Sequence, residues 1–268
     1  MTLTRTRLTL SAAVVLCALG ASVLAFAIPQ TQASTTINSG DLIRGESFSA
    51  VYYMGEDGFR YVFPNDKAYF TWYTNFNSVK VISDADMAKI QIGGNITYKP
   101  GVKMVKINTD PKTYAVDAGG TLRHVSSEAV AIALYGNDWN KKIDDIADGF
   151  FPNYTIGSAI NAAADFNPAS VTATVTDINT DKGLVESVDF VINDEGYASV
   201  EVTVDAGQAV RFVNEGSEKH TATADDLSWG TGTLNPGDAF IRRFDTEGTY
   251  TFFDSYDSSN TGAVIVQE

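Results

Sequence analysis

Apolar and polar residues alternate with a period of two at three places near the C-terminus. Val200, Val202 and Val204 alternate with Glu201, Thr203 and Asp205; Val210 and Phe212 flank Arg211; Tyr250 and Phe252 flank Thr251. A period of two puts one set of side chains on a single face, so each stretch predicts a half-buried strand. Turn residues separate these runs at Asp194-Glu195-Gly196, Ala206-Gly207, Asn235-Pro236-Gly237 and Glu247-Gly248. Short strands between frequent turns over 171–268 predict an all-β sandwich.

A different pattern fills 41–160. Val51–Val62 reads as strand, glycine-containing turn and strand, and Thr113–Val125 reads the same way, displaced by 63 residues at Arg60 and Arg123. A helical segment follows each, Asp66–Phe76 in the first and Ser127–Tyr135 in the second, the latter with Ser127 and Gly136 suited to its two caps. Each copy continues through an aromatic, a Val or Ile and an Asp-rich turn: Phe76, Val79 and Ser83-Asp84 beside Trp139, Ile143 and Asp144-Asp145. The copies close near Gly93-Gly94 and Gly157. The expected fold is an α+β repeat region at 41–160, a linker at 161–170 and the all-β sandwich at 171–268. The duplicated unit resembles tandem hairpin-plus-helix repeats of bacterial exported and cell-surface proteins. That resemblance implies a surface location and no particular reaction.

The N-terminus carries a targeting pattern. Arg5 and Arg7 precede an apolar run, Leu8–Ile28, and small-residue cleavage patterns follow at Ala25-Phe26-Ala27 and Thr31-Gln32-Ala33. This is the anatomy of a secretory signal. The run is also long enough for an uncleaved membrane anchor. Residues 1–33 are therefore expected to be a signal peptide or an N-terminal anchor, with the remainder extracytoplasmic, secreted or attached to the cell surface. Cys17 is the single cysteine, and Val14 and Leu16 before it do not fit a lipobox. Beyond the leader there is no thiol for a disulfide, a thiolate metal site or a nucleophile.

Charge narrows the partners. The chain carries a formal net charge of −14. Residues 34–169 hold 12 basic and 15 acidic groups, whereas 170–268 hold 5 and 18. Phosphate backbones and anionic lipid would repel such a C-terminal region, so nucleic acid is not expected as a partner, and membrane only through an uncleaved N-terminal segment.

The C-terminal region resembles the cupredoxins. The likeness rests on Val204-Asp-Ala-Gly207-Gln-Ala-Val210-Arg-Phe212-Val-Asn214, His220-Thr221, Leu234-Asn-Pro236-Gly237, Phe244 and Gly248-Thr-Tyr250. It implies a Greek-key sandwich. In that family a His at the position of His220 and a Cys, a His and a Met in the last hairpin hold a type 1 copper ion. Here the three hairpin positions are Asp254, Asp257 and Asn260. A blue copper site needs a thiolate, so type 1 copper is not expected.

Two readings of that loop stand. His220, Asp254 and Asp257, with the Asn260 amide oxygen, could hold a divalent cation such as Zn²⁺, Mn²⁺, Fe²⁺ or non-blue Cu²⁺. Alternatively, His220 caps a strand edge, the aspartates are solvated and no cofactor is bound. No Ser/His/Asp triad, HExxH or P-loop occurs, so no catalytic residues are expected and an enzyme would need a metal at this loop. His124 replaces an aromatic at a repeat position and reads as packing or surface. Tyr52, Tyr53, Tyr69, Trp72 and Tyr73 would either stack on a glycan or form core. Asn95-Ile-Thr and Asn153-Tyr-Thr fit the glycosylation sequon. The functional expectation is a non-enzymatic cell-surface or envelope protein acting through binding or structure, with an envelope glycan or a surface protein as partner.

Overall fold

Two five-stranded sheets with the same strand order organise the first region. The computed structural model describes residues 36–268, and the leader expected at 1–33 lies outside the described residues. The first sheet uses β1 (Leu42–Gly45), β2 (Tyr52–Met54), β3 (Arg60–Val62), β4 (Val79–Ile82) and β5 (Ile92–Asn95), with helices α1 (Asp66–Trp72) and α2 (Asp84–Lys89) between its later strands. The second uses β6 (Met104–Ile107), β7 (Asp110–Asp117), β8 (Thr121–His124), β9 (Ile143–Asp145) and β10 (Thr155–Ile156), with α3 (Glu128–Tyr135) after β8. The orders are β4-β1-β2-β3-β5 and β9-β6-β7-β8-β10. In each sheet three strands form an antiparallel meander, and the last two add in parallel at opposite edges. A parallel partner needs a crossover, which is why a helix stands between β3 and β4 and between β8 and β9.

Local chemistry sets the helices. The Asn65 side chain accepts from the Ala68 N–H at 2.8 Å, and Ser127 accepts from the Val130 N–H at 3.3 Å, capping α1 and α3. α1 ends at Trp72, short of the expected Phe76. The chain turns back there because the Tyr69 ring stacks on Phe76 at 4.4 Å while its hydroxyl donates to the Asn75 carbonyl at 2.7 Å. The two Asp-rich turns are also something else. Ser83 caps α2, and Asp144-Asp145 lies within β9, where Asp144 pairs with Lys103 at 2.7 Å.

The stretch 161–170, expected as a linker, is folded onto the second sheet. Phe166 and Ile160 are buried with Met104, Val125 and Val130. The Asp165 carboxylate accepts the N–H groups of Asn161 and Ala162 at 2.9 Å each. Two short helices follow, α4 (Pro168–Thr174) and α5 (Ile178–Lys182), and the sandwich strands begin only afterwards.

The sandwich comprises β11 (Val188–Asn193), β12 (Gly196–Tyr197), β13 (Glu201–Asp205), β14 (Ala209–Asn214), β15 (Thr223–Ala224), β16 (Ala239–Arg243), β17 (Gly248–Phe253) and β18 (Thr261–Gln267). One sheet runs β12-β11-β14-β16 and the other β13-β18-β17-β15. The predicted alternation holds for Val210, Phe212 and Phe252, which are buried, whereas Val200 precedes its strand and is exposed. Phe252 is central to the core, with the rings of Phe190, Phe212 and Trp229 at 5.0, 5.4 and 5.7 Å. Gly262 has to be glycine, since a Cβ there would stand 2.7 Å from the Phe252 ring.

The first region and the sandwich pack as one unit spanning 36–268. Ala209 and Ile241 of the sandwich join the core formed by Tyr53, Tyr61 and Tyr69. Gln91 donates from its side chain to the Ile241 carbonyl at 2.9 Å and accepts from the Ile241 N–H at 2.5 Å, so one amide satisfies both polar groups of an edge residue on β16. Asp57, 2% exposed, receives the Tyr61 hydroxyl at 2.7 Å and the Arg243 guanidinium. Among the described residues no helix is long and apolar enough to cross a membrane.

Asp57→Ala would strand Tyr61 and Arg243 beside an empty site. Breaking a buried ion pair costs about 3–5 kcal/mol, less where one partner reaches solvent as Arg243 does. A loss of about 2–4 kcal/mol is therefore expected in urea unfolding. A change within about 0.5 kcal/mol, the range of ordinary surface substitutions, would show that the cluster holds nothing together.

Candidate functional site

The loop end of the sandwich carries the predicted site residues. Asn214 closes β14 fully buried, and its side-chain amide donates to the carbonyls of Glu218 at 2.7 Å and Leu234 at 2.9 Å. Its own oxygen accepts from the Gly216 N–H at 2.9 Å. These bonds fix the loop leading to His220, whose backbone pairs with Leu234 in both directions at 3.1 and 2.8 Å. The opposite wall is the turn between β17 and β18, where the Asp254 N–H donates to the Asn260 carbonyl and the Asn260 N–H to the Asp257 carbonyl, each at 3.0 Å.

His220 and Asp254 meet between these walls. Nδ1 of His220 lies 2.7 Å from Oδ2 of Asp254, and the two residues are 6% and 0% exposed. Oδ1 of Asp254 accepts from the Thr221 N–H at 3.0 Å, the Thr221 hydroxyl at 3.2 Å and the Tyr256 N–H at 3.0 Å. A buried carboxylate accepting this many bonds needs no further partner. The remaining ring nitrogen of His220, Nε2, is buried without a partner among the described residues. Tyr197 donates to the Thr221 carbonyl at 2.7 Å, and burial, reinforced by the Asp254 charge, pushes its phenol well above the usual range.

The structure therefore divides the four predicted ligands. It brings His220 and Asp254 into direct contact, so Asp254 is not the solvated loop residue of the second reading. Asp257 is exposed, held by the Ser259 hydroxyl at 2.6 Å and N–H at 3.0 Å, with the Asn260 amide 3.4 Å away. All four line one open cleft of about 510 Å³, with Asp194, Glu195 and Glu218 at its rim. Among the described residues no group of three or more His, Cys, Asp or Glu side chains is arranged to hold a metal ion. A copper ion of the type 1 kind does not fit, because it requires a thiolate and no cysteine lines this cleft. Of the nearby hydroxyls, that of Ser217 in the cleft donates to Asp194 at 3.0 Å and that of Ser255 pairs with Thr223 at 2.9 Å.

Asp194 was not singled out in the sequence. Its carboxylate accepts the Ser217 N–H at 2.5 Å, the Ser217 hydroxyl at 3.0 Å and the Glu218 N–H at 3.2 Å, which clamps the His220 loop to the turn after β11. Its position in an Asp-Glu-Gly turn was the only signal available.

The other candidate groups have structural partners. Tyr53 and Tyr69 are core residues, and the Trp72 indole N–H donates to the Thr97 carbonyl at 2.9 Å with the Lys99 ammonium over its ring. Among the described residues the exposed aromatics are Phe48, Phe70, Phe76 and Tyr256. His124 packs edge-on against Tyr114 at 5.9 Å. The two sequon asparagines meet, with the Asn95 amide donating to Asn153 at 3.2 Å.

Comparison with known proteins bears on this region alone. A family model described as a cupredoxin-like domain matches residues 165–266. No curated protein matches the chain. Solved structures similar to it include a purple cupredoxin from Nitrosopumilus maritimus, at 23% identity over 30% of this chain and 100% of that one, with a TM-score of 0.28. Amicyanin from Paracoccus versutus is 26% identical over 30% of this chain and 81% of its own, TM-score 0.28. The copper-containing nitrite reductase of Thermus scotoductus is 20% identical over 31% of this chain and 22% of its own, TM-score 0.28.

Two outcomes follow from the hydrogen bonding. Asp254→Ala leaves the His220 ring and two backbone N–H groups without their acceptor in a buried site, at about 1–3 kcal/mol for each stranded group. Its unfolding midpoint should fall sharply, and it should fall far less for Asp257→Ala. Asp194, chiefly through the Ser217 backbone, and Asp257, chiefly through the Ser259 hydroxyl, are held below the ordinary aspartate range. Depressed carboxylates stabilise the fold above their unfolded pKa and lose that contribution as pH falls through the folded one. Thermal stability should hold from neutrality to about pH 4 and decline below it, with a shallower decline in Asp194→Ala.

Proposed function

Because residues 165–266 are a cupredoxin-like domain without a thiolate among its loop residues, we propose that this chain is an exported cell-surface or envelope protein with a binding or structural role. The observation that carries the reading is Asp254. Buried and bonded to His220, it replaces a redox ligand with a hydrogen-bonded pair that closes the loop end of the sandwich. Electron transfer through copper needs the thiolate; holding two loops rigid does not.

The extracytoplasmic location is supported by the leader pattern at 1–33 and by the absence of cysteine from all later residues. The first region is a duplication on this reading. Its two sheets share strand order and pairing, and the 63-residue offset of Arg60 and Arg123 places both arginines in the third strand of their sheets. An adhesion role for these tandem units agrees with a surface location, and an envelope glycan or a surface protein is the partner class that fits an acidic exported chain. Nucleic acid does not fit it.

The metal-binding alternative would require Asp254 to exchange its hydrogen bonds for a cation shared with His220 and Asp257. Metal analysis of purified protein decides it, with His220→Ala as control: stoichiometric metal lost in that variant would replace the present reading. A converse experiment tests the loop itself. The combined change Asp254→Cys, Asp257→His and Asn260→Met should give a visible thiolate-to-copper absorption on copper addition, and the native chain should give none. Such a band in the native chain would overturn the proposal. Cell fractionation that left the protein in the cytoplasm would overturn the location.

A further inference from the structure

A second cavity, sharing no lining residue with the His220 cleft, sits where both five-stranded sheets, α5 and β16 meet. It measures about 210 Å³, and Tyr61, Thr97, Asn153, Asp181, Lys182 and Arg243 supply its side chains. A water molecule takes about 30 Å³ of liquid, so the space exceeds what one or two waters need.

The hydrogen-bonding groups around it are unevenly engaged. Asp181 accepts the Gly119 N–H at 2.9 Å on one oxygen and the Thr97 hydroxyl at 3.3 Å on the other. Asp57, just behind, takes the Phe59 N–H at 3.3 Å on Oδ1 and both Tyr61 and Arg243 on Oδ2. The Asn153 oxygen accepts from Asn95 at 3.2 Å. The acceptors all have donors. The donors are in a different state. Lys182 holds its ammonium over the Tyr61 ring, 5.1 Å from the centroid, and forms no ion pair among the described residues. Arg243 places only Nη2 on Asp57 and Tyr61. The amide nitrogen of Asn153 likewise has no acceptor among the described residues. Burial, with a contribution from the Arg243 charge, pulls the Lys182 pKa below that of an ordinary lysine despite the neighbouring Asp181.

Asp181 and Asp57 formally balance the charges of Lys182 and Arg243, so what this cavity lacks is a set of acceptors for its unused N–H groups. We propose that it binds a small oxyanion, a carboxylate, phosphate or sulfate group, between Lys182 and Arg243, with the Asn153 amide as a third donor. Two cations with unused N–H groups in a partly dry site are the arrangement that recognises such groups. The negative charge of the whole chain opposes capture at long range, but physiological salt screens it beyond about 8 Å, while the cavity contacts are short. Tyr61 and Thr97 come from the first sheet's side, Asn153 from the second unit, Lys182 from α5 and Arg243 from the sandwich. An anion there would bridge the first region to the sandwich and stabilise the assembled chain by mass action.

The test uses the chain without its leader at constant ionic strength. Sodium phosphate, sulfate and acetate are each titrated against a chloride reference, with the thermal midpoint and, for phosphate, the ³¹P linewidth as readouts. At least one anion should give a saturable rise in midpoint, and the arms separate tetrahedral from planar anions. Lys182→Gln should weaken the effect at least tenfold. Asn153→Asp, at an exposed position that should fold normally, should weaken it by a similar factor by placing a carboxylate at the mouth. Two results would sink the proposal: no saturable change with any anion, or equal shifts in native protein and Asn153→Asp, which would mark a general salt effect.

Discussion

A carboxylate out of reach of water has to be answered by protein donors, and this fold is assembled around that requirement. Among the described residues four aspartates are buried, and three of them, Asp57, Asp181 and Asp254, stand at seams. Asp144 receives Lys103 beside β9. Asp181 ties α5 to Gly119 and Thr97, one from each five-stranded sheet's surroundings. Asp57 takes Arg243 from the sandwich, and Asp254 joins the two loops at the sandwich end. Apolar burial supplies most of the stability, but it is non-directional. The aspartates add direction, because each is satisfied in only one arrangement of its neighbours.

The same rule accounts for the loop end of the sandwich. At that end an imidazole and backbone N–H groups line a polar hole, which is costly unless filled. Asp254 fills it with a side chain that reaches His220, Thr221 and Tyr256 together. Its hydrogen bonds join the two loops directly. The Nε2 of His220 is the one polar atom of this group that has no partner among the described residues.

Much of this architecture was legible in the residues. Alternation marked β14 and β17 because one face of each is core, and the hairpins β2–β3 and β7–β8 showed through their glycine turns. The preceding strands β1 and β6 were not seen: Leu42-Ile-Arg-Gly45 and Met104-Val-Lys-Ile107 are short, and both faces of each are largely covered, so neither alternates cleanly. The segment after Ile160 read as a linker because Ala, Asn and Pro dominate it. Its single anchor, Phe166, has no periodic partner in sequence. His220 and Asp254 were legible as site residues through a resemblance. Their direct bond was not, since spacing along a chain says nothing about which of two facing groups turns toward the other. The Asp57 and Arg243 pairing of regions was likewise invisible, because its members lie 186 residues apart and only tertiary packing joins them.

The grip of Gln91 on Ile241 has a practical consequence for anyone dissecting the chain. β16 is the outer strand of its sheet, and in the intact protein a side chain from the first region masks its polar edge. Cutting the sandwich out as a separate fragment would uncover that edge together with the apolar Ala209 and Ile241 face, which is the template on which strands of neighbouring molecules add. The isolated fragment would then tend to self-associate under conditions where the parent stays dispersed. A soluble excised version would call for a lysine or proline along β16, a change that the whole molecule does without.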